Sequence, residues 1–271
     1  MKKRWITVLR RISVIFVSLF FVLSYRLDIQ ILEGCLSGSR FIGFHLIDPF
    51  ITLEVLATHN AIPVNLIIGT VTIVLFYLAV GGRAFCGWVC PYGLISELGE
   101  KLHFYLIKKN LIKGGRSLPI NRYWFFALWL GLSIVSGLLV FEIFNIVGIL
   151  SRFLIYGASA AIIMVILVFV GEVLFVRRFW CRNVCPIGSA YGLLNYISAG
   201  RLVRVGNCNS CGRCSSGCIE PEQLLTFKGV ECSPDGKPLY IKGSACTLCG
   251  RCIESCPKGS IRYISRFKNL V

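Results

Sequence analysis

Cys246-Thr-Leu-Cys249-Gly-Arg-Cys252-Ile-Glu-Ser-Cys256-Pro257 decides how the C-terminal end of this chain folds. The same spacing stands upstream in Cys208-Asn-Ser-Cys211-Gly-Arg-Cys214-Ser-Ser-Gly-Cys218. A run of Cys-x2-Cys-x2-Cys-x3-Cys places three sulfurs within reach of one iron-sulfur cubane and carries the fourth toward a second. Two copies therefore predict two 4Fe-4S clusters with crossed ligands. Cluster one takes Cys208, Cys211, Cys214 and Cys256, and cluster two takes Cys246, Cys249, Cys252 and Cys218.

This is bacterial-ferredoxin spacing, and it predicts a small α+β domain over residues 201–271. Zinc bound by paired Cys-x2-Cys units explains neither the third cysteine nor the x3 fourth in each copy. In the first copy Pro221 comes two positions later than its counterpart Pro257, a departure that leaves the ligands in place. Between the copies, Pro234-Asp235-Gly236 predicts a turn and Leu239-Tyr240-Ile241 a short strand. Cys232 in this insert falls outside both motifs and is expected to be a spare thiol.

Upstream of Gly200 the character changes. The 271-residue chain holds 14 cysteines, a formal charge of +16 and a mean hydropathy of +0.72, a combination rare in soluble domains. Apolar runs near 12–32, 64–82, 123–146 and 158–176 predict four membrane-spanning helices. The first follows a basic start, as a secretory signal does, but no small-residue cleavage site follows Leu27. Five Lys or Arg precede that span and seven lie from Arg83 to Arg122, whereas the alternate loops carry only Arg26, Arg40 and Arg152. The positive-inside rule then puts both termini in the cytoplasm of a multi-pass bacterial inner-membrane protein. Anionic lipid headgroups account for the basic charge, so no nucleic-acid partner is needed. Cytoplasmic thiols stay reduced, which favours metal ligation over disulfides; Cys35, expected on the far side, has no role assigned.

The membrane part, residues 1–200, contains a repeat. Arg83-Ala-Phe-Cys86-Gly-Trp-Val-Cys90-Pro91-Tyr-Gly93 matches Arg178-Phe-Trp-Cys181-Arg-Asn-Val-Cys185-Pro186-Ile-Gly188 in Arg, aromatic, Cys, Val, Cys, Pro and Gly at one offset. Each copy follows a pair of spans, which predicts a four-helix transmembrane bundle built from two parallel hairpin repeats about an axis along the membrane normal. Cysteines four apart share a helical face, and the proline after the second opens a turn. Cys86, Cys90, Cys181 and Cys185 are then candidates for a third iron-sulfur cluster or a single metal, for two redox dithiols, or for structural thiols at span ends. Arg83 and Arg178 would offset the charge of a bound cluster.

Together the spans, the two Cys-x3-Cys-Pro motifs and the terminal cluster motifs resemble the NapH-type family of membrane ferredoxin-like subunits, to which MauN-like chains are related. Asp48-Pro49 and Cys218-Ile-Glu-Pro-Glu-Gln-Leu-Leu225 add to the likeness, which covers nearly the whole chain. The resemblance implies a quinol dehydrogenase subunit. It would pass electrons from menaquinol or ubiquinol toward a periplasmic reductase such as nitrate reductase, through a NapG-like iron-sulfur protein or a multihaem cytochrome. Related chains with similar membrane halves imply the competing role, an accessory protein for metal reduction or maturation of another enzyme.

Quinol oxidation needs a proton acceptor beside a lipid-accessible pocket. The segment from Phe44 to His59 mixes apolar residues with His45, Asp48, Glu54 and His59, and is expected to lie along or partly re-enter the interface. The plain alternative is that such residues cap helices or face water. Glu142 and Glu172 fall inside the third and fourth predicted spans, where a carboxylate usually faces the bundle interior. Ser96 to Lys113 is expected to be an amphipathic interfacial helix or a solvated basic connector.

Overall fold

The computed structural model describes residues 5–27, 32–41, 43–58, 63–112, 121–157, 159–205, 208–224, 227, 239–241 and 243–265. His59 and Cys232, and the predicted turn at Pro234-Asp235-Gly236, lie outside the described residues.

The chain opens with α1 (Trp5–Arg26), followed by strands β1 (Leu32–Cys35), β2 (Gly38–Phe41) and β3 (Phe44–Ile47). Then come α2 (Pro49–Thr58), α3 (Val64–Val80), α4 (Ala84–Trp88) and α5 (Pro91–Lys108). After these stand α6 (Arg122–Ser136), α7 (Val140–Phe144), α8 (Ile146–Tyr156) and α9 (Ile162–Leu174). A π-helical turn (Trp180–Val184) leads into α10 (Pro186–Leu194). The cysteine-rich end holds β4 (Gly200–Arg204), α11 (Arg213–Gly217), β5 (Leu239–Tyr240), α12 (Arg251–Ser255) and β6 (Ile261–Ser265).

Among the described residues α1 alone is long and apolar enough to cross a bilayer unaided. At 17 residues α3 rises about 26 Å, and α9 is shorter still at 13. Two predicted spans change shape. The first stops at Arg26 rather than 32, because Leu32–Cys35 pairs with Gly38–Phe41 in a hairpin. The third is not one helix over 123–146. Gly137 takes the left-handed conformation (φ 67°) and its N–H closes on the Ser133 carbonyl at 2.9 Å, ending α6. Asn145 then breaks the chain again, its side chain accepting from Gly148 N and starting α8.

The chain forms two compact units. One comprises residues 14–73 and 90–190. Its antiparallel sheet runs β1-β2-β3, and Phe50 at the start of α2 packs edge-on to Phe126 and Phe141. Helix α5 lies along α9 and α8. Its polar side chains Ser96, Glu97, Glu100 and His103 are buried, while Leu98, Leu102 and Tyr105 are exposed. The helix expected over this segment is present, with its polar side buried and Lys101, Lys108 and Lys109 exposed beside the leucines. The same inversion marks α9, where Leu167 is 66% exposed and Glu172 only 2%.

The other unit comprises residues 1–13, 74–89 and 191–271. Its sheet has the order β5-β4-β6, both pairings antiparallel, with Leu202 opposite Tyr263 and Val203 opposite Tyr240. Helices α11 and α12 pack on each other, and Val203, Ile241 and Ile261 are buried. The predicted strand at Leu239-Tyr240 is present as β5.

Candidate iron-sulfur and thiolate sites

Two cavities open in the cysteine-rich end, and their walls divide the motif cysteines between them. Cys208, Cys211, Cys214 and Cys256 line one, together with Arg204 and Phe227. Cys218, Cys246, Cys249 and Cys252 line the other, among the apolar walls of Leu202, Ile219 and Leu224. Each cavity thus gathers three cysteines from one motif and the last cysteine of the other. Four sulfur donors around an apolar hollow fit a four-iron cluster. Among the described residues no three His, Cys, Asp or Glu side chains are grouped to hold a single metal ion. Cys208 is disulfide-bonded here, so its service as a ligand requires reduction; the other seven motif cysteines are free thiols.

The backbone repeats as the sequence does. Ser210 and Leu248, each one residue before the second cysteine of its motif, are both left-handed, at φ 52° and 51°. Gly212 and Gly250, just after that cysteine, are left-handed at 69° and 71° and begin α11 and α12. Glycine adopts this conformation without steric cost; Ser210 and Leu248 do not. The last cysteine of each motif, Cys218 or Cys256, leaves its helix in extended conformation.

Burial pushes the Cys246 thiol up to about 12, and it also raises Cys218 and Cys252. Metal binding must therefore draw off protons at that cavity. At Cys256 burial acts upward, but backbone N–H groups of Ser260, Lys258 and Gly259 outweigh it and lower the thiol below its ordinary value. The Ser260 N–H donates to Cys256 Sγ at 3.3 Å.

The Cys-x3-Cys-Pro motifs are built differently from a single helical face. Cys86 lies inside α4, whereas Cys90 is the extended residue before α5, with Pro91 opening that helix. Cys181 lies in the π turn and Cys185 precedes Pro186 of α10. Each proline starts a new helix, so the paired cysteines fall on separate elements. In the unit that holds them, Cys90, Cys181 and Cys185 are close enough to interact electrostatically, and burial raises Cys181 well above a free thiol. Arg178, left-handed at φ 53°, interacts electrostatically with Cys181 and donates through Nε to Glu100 Oε2 at 3.0 Å.

Next to these sulfurs lies a buried polar cluster. Glu172 accepts from Ser96 Oγ at 2.7 Å and from the Trp180 N–H at 3.0 Å, and the buried Tyr92 interacts with it electrostatically. His103 Nδ1 meets the Val173 carbonyl at 2.7 Å, and Glu100 also accepts from Arg177 Nη1 at 3.2 Å. Sequence reasoning missed Tyr92, Ser96, Glu97, Glu100 and His103. The spacing of Ser96, Glu100 and His103 along one helical face was the available signal.

Among the described residues, the candidates His45, Asp48 and Glu54 do not form one cluster. His45 is half-buried on β3 opposite Arg40. Asp48 caps α2, its Oδ1 accepting from Phe50 N at 2.8 Å. Glu54 is fully buried and accepts from Ser133 Oγ at 2.5 Å and Phe141 N at 2.8 Å. Glu142 is bound by Arg152 and by Asn145 Nδ2.

The 4Fe-4S binding domain family matches residues 62–114 and again 156–204, one match for each repeat copy, and the 4Fe-4S dicluster domain family matches 207–260. The ferredoxin-type protein NapH of Haemophilus influenzae is 33% identical over 264 residues, covering 95% of this chain and 89% of that protein. The chain belongs to the NapH/MauN family of ferredoxin-type proteins. The methylamine utilization ferredoxin-type protein MauN of Methylorubrum extorquens is 35% identical over 241 residues, covering 87% and 80%. NapH of Escherichia coli is 29% identical over 272 residues, covering 98% and 91%. No solved structure matches. As a NapH/MauN-type chain it is a ferredoxin-type electron-transfer protein with 4Fe-4S binding domains.

Proposed function

We propose that this chain is a multi-pass inner-membrane subunit that takes electrons from menaquinol or ubiquinol and passes them singly toward a periplasmic reductase, through a NapG-like iron-sulfur protein or a multihaem cytochrome. One observation carries the reading: each of two neighbouring cavities is lined by four cysteines in the crossed set that two 4Fe-4S clusters need. Bound clusters of this kind supply one-electron steps. Cys208, Cys211, Cys214 and Cys256 hold one, and Cys246, Cys249, Cys252 and Cys218 the other.

The inside-out character of α5 and α9, with carboxylates inside and leucines outside, supports a lipid setting. A helix in water would turn those faces the other way. The repeat cysteines Cys86, Cys90, Cys181 and Cys185 serve as the thiolate entrance to the path. Glu172 receives a quinol proton, while Ser96 and the Trp180 N–H hold its two oxygens in place. Glu54 is a second buried carboxylate for proton transfer.

Stopped-flow mixing of the purified chain with menaquinol tests this. Bleaching of the cluster absorbance on a catalytic timescale is expected; no bleaching by menaquinol, with full bleaching by dithionite, rejects it. The competing reading is an accessory redox protein for metal reduction or maturation of another enzyme. Under that reading a cytoplasmic reductant, not quinol, bleaches the clusters.

A further inference from the structure

Arg83 is 1% exposed, and its Nη1 donates to Glu220 Oε1 at 2.9 Å and to the Ala245 carbonyl at 3.0 Å. Glu220, also 1% exposed, stands two residues after Cys218, and Ala245 directly precedes Cys246. Glu220 and Ala245 both line the cavity of Cys218, Cys246, Cys249 and Cys252. One guanidinium therefore grips both chain segments that deliver sulfurs to that cavity. It interacts with Cys86 as well.

The sequence repeat does not impose this pairing. Arg178 occupies the equivalent place in the second copy and pairs with Glu100, at 3.0 Å. Nor is stability a sufficient reason, because a buried ion pair generally stabilises no more than apolar residues of the same volume. What the pair does provide is a fixed charge of each sign beside the sulfurs. Apolar walls keep water, and thus screening, away.

We propose that the Arg83–Glu220 pair sets the reduction potential of the centre held by Cys218, Cys246, Cys249 and Cys252. This rests on the reading of those cysteines as ligands of one 4Fe-4S cluster. Reduction adds one negative charge to the centre, so the Arg83 guanidinium favours the reduced state and the Glu220 carboxylate opposes it. Potentials of such clusters follow the charge and hydrogen bonding around their sulfurs. Arg83 and Glu220 are positioning residues: they transfer no electron themselves.

Redox titration of the full chain in detergent, followed by electron paramagnetic resonance, tests the pair. The wave that disappears in Cys252→Ser identifies the centre. Arg83→Gln is expected to lower its midpoint and Glu220→Gln to raise it, while Arg83→Lys and the double variant Arg83→Gln/Glu220→Gln stay near the unaltered chain. The midpoint of the other centre should stay in place in all four. Shifts of the same sign in both single variants, or no shift with iron retained, overturn the proposal. So does loss of that centre's iron from both singles, since the pair would then only shape the site. An unaltered chain that binds no iron defeats the cluster reading itself.

Discussion

Ser96 Oγ donates to Glu172 Oε2 at 2.7 Å, and the partner oxygen of that carboxylate is taken by the Trp180 N–H. Trp180 directly precedes Cys181 in the second copy of the cysteine repeat, and Ser96 lies six residues after Cys90, in the helix that opens at the first copy's proline. A buried carboxylate so held beside thiols is suited to take a proton when an electron moves. Glu172→Gln keeps the size and the acceptor oxygen but cannot accept that proton. Menaquinol oxidation should fall by about 100-fold or more, with iron content unchanged. An unaltered rate in stopped-flow removes Glu172 from the mechanism.

Crossed ligation makes a specific demand on single variants. Cys218→Ser and Cys252→Ser should lose the same cluster and leave identical residual resonance spectra, with the iron of that one cluster gone. Cys256→Ser should match Cys211→Ser instead. If Cys218→Ser resembles Cys211→Ser, each motif holds its own cluster and the crossed assignment is wrong.

The repeat cysteines are tested by subtraction. With all eight motif cysteines from Cys208 to Cys256 replaced by serine, iron and sulfide assay of the purified chain should still find a cluster held by the Cys86, Cys90, Cys181 and Cys185 set. Absence of residual iron leaves redox dithiols or structural thiols.

Arg178 and Glu100 form a pair 3.0 Å apart, with side chains only 4% and 3% exposed. Glu100→Ala strands the guanidinium in a buried site, and the expected loss of stability is about 3–5 kcal/mol. Replacing both by residues of similar volume, Arg178→Met with Glu100→Leu, should recover most of it. Thermal unfolding in detergent measures both; a single variant as stable as the parent would show the pair to be solvated.

Much of the candidate site was legible because cluster ligation is a local constraint. Three sulfurs must reach one cubane, and that dictates the spacing of Cys246, Cys249 and Cys252 whatever surrounds them. The repeat around Cys86 and Cys181 was legible because its Arg, Cys, Val, Cys, Pro and Gly recur at one constant offset. Hydropathy located α3 and α9 closely but missed the break at Gly137, since an apolar window does not register a left-handed glycine. It also missed the polar side of α5. Periodicity shows that Ser96, Glu100 and His103 share a face but not which way that face turns. Where the surroundings are apolar, the polar face turns inward.

Sequence alone determined the kind of chemistry: eight cysteines at ferredoxin spacing, four more in a repeated motif, and apolar helices between them. Only the tertiary structure decided the company these sulfurs keep. It joined Arg83 to Glu220 across 137 residues, and gave its repeat counterpart Arg178 to Glu100 instead. Two matching local motifs acquire different partners because a buried charge is stabilised by whichever opposite charge the packed chain brings within hydrogen-bond distance, and no local spacing specifies that.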